Sequence, residues 1–576
     1  MNSNNKTALR CPFSVPMAAD KQLSAQPRTR FSIPLALTIF ASILLVSMSI
    51  FLSNPLYSIL SLLIFIAALF VHSYLKHRSF PPGPFHLPII GNGHLFFNCS
   101  NPTQVVLNLR QKYGPVFTLA LPHPTIILAH GDALKKMGES EALEGRPGGF
   151  VWSYFTRNKA TGSGIILAEG PEHRALKHLA GQMTKGFNGT PNVLVARVEE
   201  YVDVLIGSLQ ELVNKGSPSN PEKAIVSTVS SIIDSFVFGD LDNCTASWKD
   251  NLDAILKNVA APQTQLINSY PLLQFCPILN RTFTKFVKAG NAINTELGSR
   301  VAARRQMSAV SEHDDQLPED FIQAALKQNR NYSDTTLITS AGDLWTGGLS
   351  TTVTLLRWAL VYLVHHPNVQ TRLRKEVLEV FGQSMPNYKE KEKTPYFLAT
   401  IRELLRLVNV LPYGIPHRAS KDVTMVVEGK TYFIPKGATV FPIYGVTNFD
   451  PNVFPEPYSF NPDRFLNTPH NDFSNPQNFF PFGAGRRRCA GSSLAYIELY
   501  VLLGRIMQFF EIHPEDGKLP SLQRSSGMTN EPLPFKVILK NVPGPGIQGI
   551  NEFGTFIDRV MIIGLFFQYV HLLNVL

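Results

Sequence analysis

Phe482-Gly483-Ala484-Gly485-Arg486-Arg487-Arg488-Cys489-Ala490-Gly491 is the stretch that decides how this chain is read. Its cysteine lies between glycines, after a run of arginines and before an apolar, helix-like segment from Ser492 to Phe510. Glycine admits positive φ and lets the backbone approach a flat ligand closely. A thiolate just before a helix is stabilised by the helix N-terminus and by neighbouring cations. Those features suit a thiolate ligand to a metal; the alternative is a free buried cysteine in a basic loop. The spacing F-x-x-G-x-R-x-C-x-G, filled by Phe482, Gly485, Arg487, Cys489 and Gly491, is too specific for that alternative.

Three other stretches carry chemistry. Arg402-Glu403-Leu404-Leu405-Arg406 sets a carboxylate and a guanidinium at i and i+3, within reach on one helix face. Alone, Glu403 and Arg406 would be a commonplace surface pair; Asn461-Pro462-Asp463-Arg464-Phe465 later brings a second arginine. Thr335 to His365 reads as a long apolar helix with Asp343-Leu344-Trp345-Thr346-Gly347-Gly348-Leu349-Ser350-Thr351-Thr352 in its middle. A glycine inside a helix costs about 1 kcal/mol relative to alanine, so the pair needs a reason. Close packing against a neighbouring helix is one, and a locally opened helix beside a ligand is the other.

The length of 576 residues admits several average domains or one large α-rich unit. The balance of 53 Lys+Arg against 43 Asp+Glu is basic without long runs of like charge. It suits an acidic protein partner or an anionic membrane surface, and no zinc-finger or other motif points to nucleic acid. Cysteines at 11, 99, 244, 276 and 489 are odd in number and scattered, with no disulfide framework, so a reducing compartment is expected. The sequons at Asn98, Asn188, Asn243, Asn280 and Asn331 are then expected to be unused. Residues 1–30 read as a disordered basic tail, and 31–75 as a membrane anchor of two uncharged runs broken at Ser53-Asn54-Pro55. A single span and a helical hairpin both fit; the hairpin is preferred because it keeps both basic flanks on the cytoplasmic side. Residues 76–84, with Pro81-Pro82-Gly83-Pro84, form a stiff hinge. A catalytic domain is expected over 85–541, and 542–576 is an apolar extension, either a further membrane-associated helix or a chain end outside the fold.

The cysteine stretch resembles the haem-binding loop of the cytochrome P450 superfamily, and the hinge and anchor are similar to those of its microsomal animal members. The resemblance covers roughly residues 80–541. It implies a mainly α fold with small β-sheets, and haem b whose iron takes Cys489 as its axial ligand. The central helix is similar to the family's oxygen-binding helix, which makes Gly348, Ser350 and Thr351 the catalytic turn. Thr351 is then the hydroxyl that bonds iron-bound oxygen, and Ser350 stands where the family usually has an acid. A serine can hold a water but cannot act as an ionised relay near neutral pH. Glu403, Arg406 and Arg464 match the family's buried ionic network. Arg487, His417 and, on the helix around Gly170 to His178, Lys177 are expected at the haem propionates; there His173 and Lys177 replace a Trp and an Arg. Phe150, Val151, Trp152 and Phe155 are expected to line the substrate side.

By the same resemblance, electrons come from NADPH through NADPH-cytochrome P450 reductase, with cytochrome b5 as a second donor, docking where Arg486 and Arg488 add positive charge. The protein is expected in the endoplasmic reticulum membrane with a cytosolic catalytic domain, inserting one oxygen atom into a lipophilic substrate. Asp343-Leu-Trp-Thr-Gly-Gly, Thr394-Pro395-Tyr396 and Asp450-Pro-Asn-Val-Phe are similar to nematode members that oxidise a sterol side chain to a hormonal acid. A sterol or other lipid is therefore the first expectation and broad detoxifying oxidation the second. Ser350 leaves an isomerase or dehydratase, or a non-catalytic haem binder, as further alternatives.

Overall fold

The computed structural model describes residues 79–542, apart from 88–90, 97–101, 122, 156–161, 186–192, 240–247, 311–317, 319, 467–477 and 526, together with scattered residues between 59 and 71. The chain divides into two units, Met1–Arg78 and Ser79–Leu576. Of the first, Ile59, Leu60, Leu63, Ile66 and Val71 are helical and expose their apolar side chains. The basic tail 1–30, the first uncharged run and the extension 543–576 lie outside the described residues.

The second unit is mainly helical, and one helix, Asp334–His365, runs through its core. Ser333 starts it: the serine hydroxyl accepts the Thr336 N–H at 3.1 Å, a cap that satisfies one orphan donor. Pro367 stops it, because a proline disfavours helical geometry in the residue before it. Among the described residues this is the one helix long and apolar enough to cross a membrane, yet 78% of its apolar window is buried inside the protein. It is a core helix, apolar around most of its circumference because other helices surround it. Glu222–Phe238, Pro277–Val310, Pro395–Val408 and Ser492–Phe509 all pack on it.

The β structure is small. β1 (Val116–Ala120) and β2 (Pro124–Leu128) form a hairpin, Val116 opposite Leu128. β3 (His417–Arg418) comes next along the chain, and β4 (Val423–Val427) pairs antiparallel with β5 (Lys430–Ile434). β6 (Thr439–Pro442) joins the hairpin's sheet, parallel to β2 and antiparallel to β3, for an order β1-β2-β6-β3. β7 (Phe510–Pro514) and β8 (Val537–Asn541) make the last pair. β3 thus hangs His417 and Arg418 at the edge of a sheet whose first two strands are fully buried.

Candidate active site

The cysteine loop is held by backbone geometry. Gly483 and Gly485 take φ of +76° and +62°, and a Cβ on Gly485 would stand 1.9 Å from the Gly138 carbonyl oxygen. The second glycine is therefore fixed both by conformation and by the helix Gly131–Glu139 beneath it. The Cys489 N–H donates to the Phe482 carbonyl at 2.9 Å, and Gly491 opens the helix Ser492–Phe509. Burial pushes the Cys489 thiol up, while the Gly491 N–H, Lys177 and Arg488 pull it back toward the thiolate. The same side chain is nevertheless solvent-accessible.

Basic groups converge beside it. Arg487 donates to the carbonyls of Glu144 (2.9 Å) and Ala168 (2.8 Å), and its Nη1 lies 2.8 Å from His173 Nε2. Arg146, buried, donates to the carbonyls of Ile166, Ile415 and Pro416 at 2.9, 3.1 and 2.9 Å. Burial, then Arg487, lowers Arg146 to about 9 and Lys177 to about 8. Burial and the same cations hold His173 and His417 at about 3. His417 Nδ1 sits 2.6 Å from the Leu143 carbonyl, so this neutral ring donates there and leaves Nε2 toward the cluster. Lys177 is tied to the Arg486 carbonyl, on the cysteine loop itself. Arg486 is ion-paired with Glu141 and Glu144, so the positive charge it was expected to show a partner is partly neutralised.

On the central helix the sequence-expected turn is redistributed. The helix is continuous, not opened, through Gly347 and Gly348. A Cβ on Gly348 would come within 2.4 Å of Ile233 Cδ1, whereas one on Gly347 would meet nothing within 4 Å. Gly348 therefore serves helix packing, and Gly347 faces open ground. Successive positions differ by about 100° around a helix, which separates the two neighbours. Thr351 Oγ1 donates to the Gly347 carbonyl at 2.5 Å. Ser350 is buried on another side of the helix, with no hydrogen-bond partner for its hydroxyl among the described residues. One turn before Gly347, Asp343 accepts the N–H groups of Ile165 and Ile166 at 2.7 and 2.8 Å. Burial raises that carboxyl to about 7. Gly164 (φ +85°) makes the contact feasible, since a Cβ there would stand 2.5 Å from Asp343 Oδ2. Thr352 donates to Glu498 Oε2 at 2.7 Å, linking the central helix to the helix that follows Cys489; burial raises Glu498 to about 8.

Glu403, Arg406 and Arg464 meet as expected. Arg406 binds Glu403 through two bonds of 2.8 Å, Arg464 Nε adds one of 3.0 Å, and the Asn461 N–H one of 2.9 Å. Arg406 also donates to the carbonyls of Asn448, Pro457 and Ser459. The network staples the helix Pro395–Val408 to the irregular segment leading to the cysteine loop. On the expected substrate side, Phe150 packs against Phe283 with ring centres 5.8 Å apart. Val151 is buried in the core, and the side chains of Trp152 and Phe155 lie outside the described residues.

Arg146, Asp343 and Glu498 were missed by sequence reasoning. The signal available for the last two was a single carboxylate inside an otherwise apolar helix, which burial makes costly unless it has a task.

A loop that presents an accessible sulfur just before a helix, with cations clustered beside it, suits a haem-thiolate protein. The chain belongs to the cytochrome P450 family: the family model "Cytochrome P450" matches residues 81–539. It is 29% identical over 484 residues to the 3-ketosteroid oxygenase of Caenorhabditis elegans, covering 82% of each chain. It is 30% identical to rabbit cytochrome P450 2G1, over 81% of this chain and 94% of that one, and 31% identical to mouse cytochrome P450 2F2, over 80% and 93%. It is a cytochrome P450 monooxygenase, and the family implies a haem iron held by a cysteine thiolate. The residues present fit that group. Cys489 offers the sulfur, and the clustered cations Arg146, Arg487 and Lys177 form an anion site suited to two propionates.

Proposed function

We propose that this chain oxidises a lipophilic substrate of the sterol or steroid class, using electrons from NADPH passed through a membrane-bound flavin reductase. When bound, the haem supplies oxygen activation, with the thiolate donating electron density that favours O–O cleavage. Cys489 would hold the iron, with the Gly491 N–H and the helix N-terminus favouring the thiolate against the effect of burial. Arg146 and Arg487 would bind the propionates, Lys177 would steady the loop from Arg486, and a carboxylate arriving beside His417 would favour its charged, donating form. Thr351 would lend its hydroxyl to the oxygen side, released from the Gly347 carbonyl or shared with it. Glu403, Arg406 and Arg464 set the architecture of the thiolate side.

The observation that carries the sterol reading is the likeness to a 3-ketosteroid oxygenase across 82% of both chains. Broad oxidation of foreign compounds is the second reading. The exposed helical Ile59, Leu60, Leu63, Ile66 and Val71 support attachment to the endoplasmic reticulum membrane, where such substrates partition. Reconstitution with reductase and NADPH on a panel of 3-keto sterols, other sterols and fatty acids tests it. Oxygenated product formed in step with NADPH consumption on the sterols supports the proposal. Turnover of a lipid hydroperoxide without NADPH would favour the isomerase alternative, and haem binding with no turnover the non-catalytic one.

A further inference from the structure

The central helix has a second polar face, away from Thr351. Ser350 is 9% exposed, its buried hydroxyl has no partner among the described residues, and the residue lines a cavity of ≈ 10 Å3, measured for the centre of a water-sized sphere. A space of roughly 10–15 Å3 by that measure holds one water if polar groups surround it. Lys249, Asp253, Arg357 and Glu531 do so, and Arg357 Nε is also unpartnered among the described residues. Lys249 Nζ lies 2.6 Å from Asp253 and 3.4 Å from Glu222, and Arg357 Nη2 lies 3.1 Å from Glu222. Glu531 accepts a bond of 3.2 Å from Thr529.

Three carboxylates thus face two cations, so one of them can keep its proton cheaply. Burial, then Asp253, raises the carboxyl of Glu531, while Lys249, Arg357 and Thr529 work the other way. The Asp253 side chain is 40% exposed and connects the cluster to solvent. Residues i, i+3 and i+4 adjoin on a helix, so Gly347 lies between Ser350 and Thr351, which themselves point about 100° apart. The open ground over Gly347 lies between the serine and the threonine.

We propose that Glu531, one water in this cavity and Ser350 form the proton inlet of the enzyme, replacing the carboxylate that this chain lacks beside Thr351. The inference rests on the monooxygenase reading. In the step, the Glu531 O–H bond breaks and its proton goes to the water. The water passes a proton to Ser350 Oγ, and the serine's own hydroxyl proton moves on to solvent above Gly347, within reach of Thr351. Glu531, left as a carboxylate, regains a proton from solvent by way of Asp253. No electrons move.

The test uses the full, haem-loaded chain with reductase, NADPH and cholestenone. Ser350→Ala and Glu531→Gln are expected to lower product formed per NADPH on the order of tenfold, the difference leaving as hydrogen peroxide. Ser350→Thr, which keeps the hydroxyl, is expected to retain coupling. A second readout needs no turnover. A carboxyl raised by folding favours the folded state at low pH and loses that contribution as pH rises through its raised value. Glu531→Gln should therefore melt above wild type by a margin that grows with pH above the ordinary carboxylate range. Wild-type coupling in both Ser350→Ala and Glu531→Gln overturns the inference, as does a melting margin that is flat with pH. A wild-type enzyme that consumes no NADPH in making product refutes the monooxygenase reading itself, and the inference falls with it.

Discussion

The two sides of the candidate haem site are built to different standards of completeness. On the thiolate side, Glu403 accepts four hydrogen bonds, Arg406 spends its guanidinium on one carboxylate and three carbonyls, and Arg487 is filled by two carbonyls and a histidine. Around the central helix, Ser350 Oγ, Arg357 Nε and, on the helix packed against it, Glu498 Oε1 have no partner among the described residues, where the thiolate-side network leaves Asn448 Oδ1. Buried polar atoms are normally satisfied, so a cluster of exceptions calls for a use or a water. The contrast separates architecture from chemistry. The thiolate face needs a rigid frame for a ligand that does not move. The opposite face needs polar groups free to bind water and pass protons.

The comparison can be broken most severely at the sulfur. Cys489→Ser is expected to abolish oxygenation and the thiolate absorbance signature while leaving the helical fold, read by far-UV circular dichroism. Next comes the frame. Glu403→Ala leaves Arg406, with a fully buried side chain, uncompensated. Removing one partner of a buried pair costs about 3–5 kcal/mol, which chemical denaturation should register along with poor haem retention. A loss under about 1 kcal/mol would show that the frame is not rigid in the sense argued.

On the oxygen side the effects should appear in coupling and not in stability. Among the described residues the hydroxyl of Thr351 bonds its own helix's carbonyl four residues back, a contact that slightly weakens helices. Thr351→Ala should therefore change unfolding free energy by less than about 0.5 kcal/mol while diverting NADPH electrons into peroxide. The smallest effect concerns Glu498, whose carboxyl burial raises to about 8. Raised in the folded state, it supports folding at acidic pH and stops doing so as pH climbs through that value. Glu498→Gln should match wild type near pH 5 and melt higher near pH 9, measured by thermal unfolding; an equal offset at both would refute the raised value.

What was legible in the sequence was mostly local. Phe482, Gly485, Arg487, Cys489 and Gly491 share one loop, so their spacing in the chain carries their geometry. Glu403 and Arg406 are one helical turn apart, and the proline-flanked Arg464 was placed by the resemblance. The helix Asp334–His365 follows from its apolar pattern, read in the sequence as Thr335 to His365. The phase of the central helix was not legible. Adjacent Gly347 and Gly348 look alike in sequence, and only the position of Ile233 distinguishes the one that packs from the one that faces open ground. Nor were partners brought from far along the chain. Arg146 reaches Ile415 and Pro416, Asp343 reaches Ile165 and Ile166, and Ser350 shares its cavity with Glu531. Loop-to-helix pairs of that kind leave no period to read.

The central claim is that Cys489 holds the haem iron through its thiolate. The most direct measurement is the carbon monoxide difference spectrum of the dithionite-reduced, haem-loaded protein, wild type beside Cys489→His. The strongly red-shifted Soret band of a thiolate-ligated carbonyl haem is expected in the wild type and not in the variant. The same red-shifted band in both proteins, or its absence from the wild type with haem bound, would contradict the account.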